Sequence, residues 1–441
     1  MVANGYPPTA FGGVEVYVQG IAHALASRGH HVTVFCRESA WKTPDYHVIR
    51  EMSDRVSVIR LVNDFKAISS FEETFVDPHI DAFFGDLLHE LTPDLVHFHH
   101  WIALSARLPS VASEQGIPSV ATLHDYWAIC HRVNLQDWLG RRCPGPDRGG
   151  DCLQCVIHSG RFRAMRRLLA KELRKVLRFT LRQRLRRALV PDRGSVISFR
   201  ATREAFATRQ RTFRDNLIVS RKILAPSDFV KRTFGENGYD NVDIEVLPLG
   251  IRLPTLSRPA ASFSTQVRFA FIGTLLPTKG VHVLVKAFKG APSSALQLRI
   301  YGRDDADPAY THRLRRLARG DARISFEGPF APEARENAFR DTDVVVVPSL
   351  VPETFSLVAR EALAAGRPVI VSDVGALPEV VKDHVNGYLV PPGDVQSLSE
   401  LIQEIALHPR ALQDLTLPGP TPILSVDDHV TPLERIYGAS V

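Results

Sequence analysis

At 441 residues with a formal net charge of +6 and a 44% hydrophobic fraction, the chain exceeds one ordinary core, and two domains of about 200 residues are expected. No apolar run approaches the roughly 18 residues that span a bilayer, and no signal-peptide pattern opens the chain, which argues against a membrane-spanning class. Five cysteines, an odd number in a chain of this size, fit a reducing cytosol better than a disulfide scaffold.

Met1 to Asn4 reads as the last residues of a strand that is either short or begins upstream of the recorded start. Gly5-Tyr6-Pro7-Pro8 breaks the chain, and Phe11-Gly12-Gly13-Val14-Glu15 leads into a helix running through Ala26. Glycines at a strand-to-helix turn let backbone amides approach a ligand closely. Strands are predicted at His31–Cys36, Val56–Val62, Leu95–His99 and Pro118–Asp125, and helices at Pro78–Leu91 and Trp101–Gln115. This alternation predicts a doubly wound parallel sheet with ligands at the carboxyl ends of its strands. His124 and Asp125 stand at such an end; His97, His99 and His100 sit one strand earlier.

Cys130, Cys143, Cys152 and Cys155 follow as C-x12-C-x8-C-x2-C. Four thiols crowding a Gly/Pro-rich loop suit a structural zinc site, with His131 and His158 as substitute ligands; a redox-sensitive cluster or buried thiols are the competing readings. Arg161 to Val190 carries twelve Lys/Arg and one acid, Glu172, with leucines at helical spacing. Such a basic amphipathic helix suits a solvated face, an anionic membrane surface or a nucleic-acid patch. Scarce aromatics argue against the last, and membrane-surface contact is favoured.

Ile223–Ser227, a helix over Asp228–Glu236 and Ile244–Gly250 close a first domain, residues 1–250, with the Cys-rich loop and basic insert at 130–215. Residues 251–265, rich in Pro and Ser, read as a linker. A second domain, 266–410, opens with a strand over Val267–Ile272 and the turn Gly273–Gly280, which carries Lys279. Further strands are expected at Leu298–Gly302, Ile324–Gly328, Asp343–Pro348 and Pro368–Ser372. A late helix is expected at Leu398–Leu407, and Asp305-Ala306-Asp307 reads as a solvated loop. In the tail, 411–441, a helix over Thr431–Gly438 is expected.

The most informative stretch is Pro352 to Glu361, between the apolar run Asp343–Pro348 and a helix stopped by Gly366. It places Glu353 in a loop at a strand's carboxyl end and Glu361 inside the helix, eight residues on. The helical part of that interval covers roughly 10 Å, the reach from a sugar ring to a ribose across a diphosphate. The amides of Phe355, Ser356 and Leu357 lie between, at the positive end of the helix dipole.

This stretch, with Gly366–Asp373 and Gly375–Glu379 after it, resembles the E-x7-E motif of the family 4 retaining glycosyltransferases. The resemblance runs over nearly the whole chain and is strongest from Phe269 to Pro392. It implies an α/β GT-B fold: two Rossmann-like doubly wound domains facing a central cleft, with the last helix crossing back onto the first domain. It implies transfer of a sugar from a nucleotide-diphosphate-sugar donor to a glycan, lipid-linked or small-molecule acceptor, without a catalytic metal. Glu361 would hold the ribose hydroxyls, and Glu353 and His124 would face the sugar. Lys279 and the amides of Phe355 to Leu357 would stabilise the diphosphate, with Gly12 and Gly13 completing the cradle from the opposite domain. Gly302, Pro329 and Phe330 occupy the turns where the family binds the nucleobase. Family members usually carry an arginine where this chain has Thr274, which leaves Lys279 as the phosphate ligand; Arg303 is a candidate second cation. The implied setting is cytoplasmic, peripheral at the inner membrane face, in cell-surface polysaccharide or glycoconjugate synthesis, with no nucleic-acid partner. A non-hydrolysing nucleotide-sugar epimerase and a nucleotide-independent binding protein using the basic helix are the rival functions.

Overall fold

The computed structural model describes residues 1–68, 70–155, 203–254, 266–291, 293–329 and 335–441. The chain forms two compact units. The first comprises Met1–Pro226, Val230–Pro248 and Asp427–Val441; the second comprises Ser227–Phe229 and Leu249–Val426.

The first unit is built on strands β1 (Val2–Ala3), β2 (Thr33–Glu38), β3 (Val48–Ser53), β4 (Val56–Val62), β5 (Val96–Phe98), β6 (Ser119–Thr122), β7 (Lys222–Ala225) and β8 (Ile244–Val246). Their order in the sheet is β3-β4-β2-β1-β5-β6-β7-β8. Every pairing is parallel except β3 with β4. Val34, Phe35, Val58, Ile59, Phe98, Val120 and Ala121 are buried, as expected of parallel strands covered on both faces. Helices α1 (Gly13–Ser27), α2 (Pro78–Leu91), α3 (Leu108–Glu114), α4 (Arg203–Leu217) and α5 (Asp228–Phe234) connect the strands. Helix α2 shows why such segments start and stop where they do. Pro78 sits at its first turn, and the Asp77 carboxylate accepts from the amides of His79 and Ile80 at 3.0 and 3.3 Å. Thr92 ends it in the left-handed region, at φ 41°.

Two expectations need correction here. The helix expected from Trp101 begins only at Leu108, because Ala103 adopts φ 56° and Leu104 closes a turn onto the Trp101 carbonyl. Edge strand β3 escaped notice, since its exposed, charged residues interrupt the apolar signal. The basic stretch from Arg161 to Val190 lies outside the described residues.

The second unit has six parallel strands: β9 (Val267–Ile272), β10 (Leu296–Tyr301), β11 (Ile324–Gly328), β12 (Val344–Val347), β13 (Val369–Ser372) and β14 (Gly387–Val390), in the order β11-β10-β9-β12-β13-β14. Residues alternate between two cores. Val267, Phe269 and Phe271 join Leu284, Phe288 and Leu298 in one, and Ala270 and Ile272 join Val345, Ala362 and Leu363 in the other. The helices are α6 (Val281–Gly290), α7 (Pro308–Ala318), α8 (Arg335–Arg340), α9 (Leu357–Ala364), α10 (Leu377–Val380) and α11 (Val395–Leu407). Ile251, expected in a linker, instead bridges to Ser425, with its amide on the Leu424 carbonyl at 2.9 Å. The final helix, α12 (Val426–Ser440), lies almost wholly in the first unit.

Candidate active site

In the second unit the site forms where β12 ends. Central parallel strands deliver their following loops to one edge of the sheet, where helix amino termini gather. The loop after β12 carries Glu353, and α9 begins four residues later at Leu357. Ser356, the residue before the helix, adopts φ 62° and makes no side-chain cap. A non-glycine residue in that region signals local strain, a feature concentrated at ligand-binding turns. The turn after β13 fixes Glu353 from behind. The Ala376 amide donates to the Glu353 carbonyl at 2.8 Å. A Cβ on Gly375, which has φ 66°, would meet the Glu353 amide nitrogen and carbonyl oxygen at 2.4 Å.

Lys279 reaches the same place from the turn before α6. Its Nζ donates to Glu353 Oε1 at 2.7 Å, and the Ser349 hydroxyl donates to that same oxygen at 2.5 Å. Burial pushes the Glu353 carboxyl up, but the Lys279 charge and the two hydrogen bonds outweigh it and hold the group below its usual range. Gly280 locks this turn against the loop, since a Cβ there would stand 1.8 Å from the Pro348 carbonyl oxygen. Glu361 is 4% exposed on α9. The adjacent Arg360 donates to the Phe355 carbonyl and lies 3.5 Å from the centre of the Phe355 ring. Burial lowers its guanidinium pKa to about 9. The structure therefore brings Lys279, Glu353 and the amino end of α9 together, with Glu361 on the same helix.

The other expected residues of this unit are more scattered. Gly302 follows β10 and gives its amide to the Gly328 carbonyl at 2.8 Å. Pro329 is exposed beside that turn, and Phe330 lies outside the described residues. Arg303 pairs with Asp305 at 3.1 Å, both side chains being exposed. Asp307, expected in a solvated loop, caps α7 by accepting from the Tyr310 amide at 2.9 Å.

In the first unit, Gly12 and Gly13 are exposed at the start of α1, and the carboxylate of Glu15 folds back towards Gly12. His124 is 6% exposed at the end of β6, its Nε2 3.2 Å from Nδ1 of His99 and its ring centre 5.0 Å from that of Tyr17. Burial pulls its pKa down to about 3, so the ring is neutral at pH 7. His100 forms a buried ion pair with Asp125. Burial alone would lower the His100 pKa, but the neighbouring carboxylate reverses the sign and raises it. Sequence reasoning missed the residues that complete this layer from far along the chain. Tyr437 approaches His97 Nδ1 at 2.6 Å, and His429 Nε2 approaches the Tyr17 hydroxyl at 2.7 Å.

Cys130, Cys143, Cys152 and Cys155 are all free thiols, and burial pushes the Cys152 thiol up to about 12. Among the described residues, however, no three His, Cys, Asp or Glu side chains converge so as to hold a metal ion. Among the described residues the expected zinc site is not assembled, and hydrogen bonds hold the irregular loop. The Cys143 amide donates to the Leu135 carbonyl and that of Gly150 to the Gly145 carbonyl, both at 2.8 Å. The Asp137 carboxylate gathers the amides of Leu139 and Arg141. His131 packs edge-on against Phe206, and His158 lies outside the described residues. No helix among the described residues is long and apolar enough to cross a membrane.

Comparison with known proteins adds the chemistry. Residues 11–193 match the family model for Glycosyltransferase Family 4, and residues 254–416 match that for glycosyl transferases group 1. The D-inositol 3-phosphate glycosyltransferase of Corynebacterium glutamicum is 27% identical over 394 residues, covering 86% of this chain and 79% of that protein. The glycogen synthase of Mycobacterium tuberculosis is 25% identical over 433 residues, covering 94% and 87%. Among solved structures, a sucrose-phosphate synthase from Thermosynechococcus elongatus superposes with a TM-score of 0.63 at 21% identity, covering 99% of this chain and 95% of that one. Anabaena Alr3699/HepE in complex with UDP-glucose does so at 0.59 and 16%, covering 100% and 94%.

Proposed function

Because the chain belongs to the family 4 retaining glycosyltransferases and has their GT-B fold, we propose that its second unit binds a nucleotide-diphosphate-sugar donor through Lys279, Glu353 and helix α9. The observation that carries this reading is the 2.7 Å pairing of Lys279 with Glu353 beside the amino end of α9. A cation and helix-terminal amides held in place in advance are what a leaving diphosphate needs as negative charge builds on it. Glu361 accepts hydrogen bonds from the ribose hydroxyls. Glu353, kept ionised by Lys279 and Ser349, accepts from hydroxyls of the sugar. For the first unit taken by itself, neutral His124 is assigned as a sugar contact and the loop through Gly12 and Gly13 as a source of backbone amides. No step requires a bound metal. The Corynebacterium glutamicum relative is a glycosyltransferase, and the epimerase and nucleotide-independent readings are less favoured.

The acceptor is a glycan, a lipid-linked saccharide or a small polyol, and the setting is cell-surface polysaccharide or glycoconjugate synthesis. The basic stretch from Arg161 to Val190 suits a cytoplasmic protein peripheral to an anionic membrane face. Salt-sensitive co-sedimentation with anionic vesicles is expected, and its absence would remove that part. A panel of UDP- and GDP-sugars tests the reaction: nucleotide release with retention at the anomeric carbon supports it. Epimerised donor formed without acceptor would overturn it.

A further inference from the structure

The loop that joins β1 to α1 has little to hold it locally. Two of its residues are prolines, which lack an amide donor. Gly12, at the start of the helix, has no side chain to cap it. Yet the inner half of the loop, Gly5 to Pro7, is buried, and buried carbonyls need donors. The Ala10 amide gives the Tyr6 carbonyl one bond at 3.3 Å, and the shorter ones come from Arg60 on β4, two strands away in the order β4-β2-β1. Its side chain is 2% exposed. One guanidinium nitrogen donates to the Tyr6 carbonyl and the Thr9 hydroxyl, both at 2.9 Å, and the other to the Pro7 carbonyl at 2.8 Å. Glu51 and Glu38 balance the buried charge, at 2.7 and 3.2 Å. The Thr9 hydroxyl also donates to Glu38 at 2.6 Å, which ties the exposed half of the loop to the same cluster.

We infer that Arg60 is a positioning residue for the transfer reaction: its planar fork sets the loop bearing Gly12 and Gly13. This rests on the reading that the loop serves the reaction. A lysine would keep the charge but not the fork, because an ammonium is a point charge that cannot reproduce the paired geometry. Arg60 acts through the loop and touches no substrate.

The test compares Arg60→Lys and Thr9→Val with the wild-type full chain, using nucleotide release from UDP-glucose and GDP-mannose, binding of UDP and GDP, and amide exchange. Arg60→Lys is expected to lower turnover about tenfold or more, as a small displacement of a positioning element does. Nucleotide affinity should stay within about twofold, since Lys279, Glu353 and Glu361 are untouched. Amides across residues 5–16 should exchange about tenfold faster while the rest of the sheet is unchanged. Thr9→Val, which leaves the buried cation in place, should show the same pattern more weakly. Unchanged exchange across residues 5–16 in both variants would overturn the inference. So would turnover within about twofold of wild type, or turnover lost together with nucleotide affinity. A wild type that binds neither nucleotide and turns over neither donor would refute the donor reading, while the exchange measurement still decides the role of Arg60.

Discussion

Lys279 and Glu353 meet at 2.7 Å from different loops of the second unit, and the cation keeps the carboxylate ionised. Lys279→Met removes both the proposed phosphate ligand and the partner of Glu353. A hydrogen bond to a charged group contributes about 1.5–3 kcal/mol, so donor affinity should fall at least about tenfold. Calorimetry with UDP and GDP measures it, and unchanged affinity would remove Lys279 from the donor site. The pH dependence has a definite sign. The folded pKa of Glu353 is depressed, so its stabilisation is present above the usual value of 4.5 and lost as pH falls through the folded value. Denaturation of Lys279→Met should therefore show a shallower acid limb below about pH 4.5 than wild type.

The buried histidines give a second pH signature. His97, His99, His124 and His429 all have pKa values lowered by burial, to about 3 for His124 and about 4 for His429. The unfolded chain takes up these protons first, so stability should fall as pH drops below about 6.5. Each independently titrating group contributes about 1.4 kcal/mol per pH unit. His100 has the opposite sign: its raised pKa gives stability that is full below 6.5 and fades as pH rises through the folded value. Urea denaturation between pH 7.5 and 5 should show the acid loss, and His429→Asn should reduce its slope by about one proton. A flat profile would contradict the buried, neutral network.

Arg209 is 2% exposed between the rings of Trp127 and Phe213, with its guanidinium 4.5 Å from each ring centre. Burial lowers its pKa to about 10. Arg209→Ala empties this slot and should destabilise the first unit by about 3 kcal/mol. Arg209→Met fills more of the volume and should lose less. Equal denaturation midpoints for the two variants would show that packing around the side chain matters little.

Much of this was legible in the chain. Strands such as β9 and β11, and helix α2, begin and end where apolar periodicity and caps place them. Glu353, Glu361 and Lys279 were readable because strand, turn and helix signals framed them. What escaped depends on distant contacts. An arginine inside the apolar run of β4 was the one local hint of Arg60, and its partners come from residues 6 to 9 and two acids on other strands. The pairing of His97 with Tyr437 spans 340 positions. The cysteine spacing suggested a metal, but spacing cannot report whether four sulphurs converge.

Helix α9 buries Glu361 a short way from the turn that holds Glu353, and the donor reading depends on that carboxylate meeting a ribose. Titration calorimetry of UDP and GDP against wild type and Glu361→Ala tests it most directly, with the thermal midpoint measured alongside. One nucleotide should bind the wild type with one-to-one stoichiometry, and the substitution should weaken it at least about tenfold, or 1.4 kcal/mol. Equal affinity in the two proteins, both folded, would contradict the assignment.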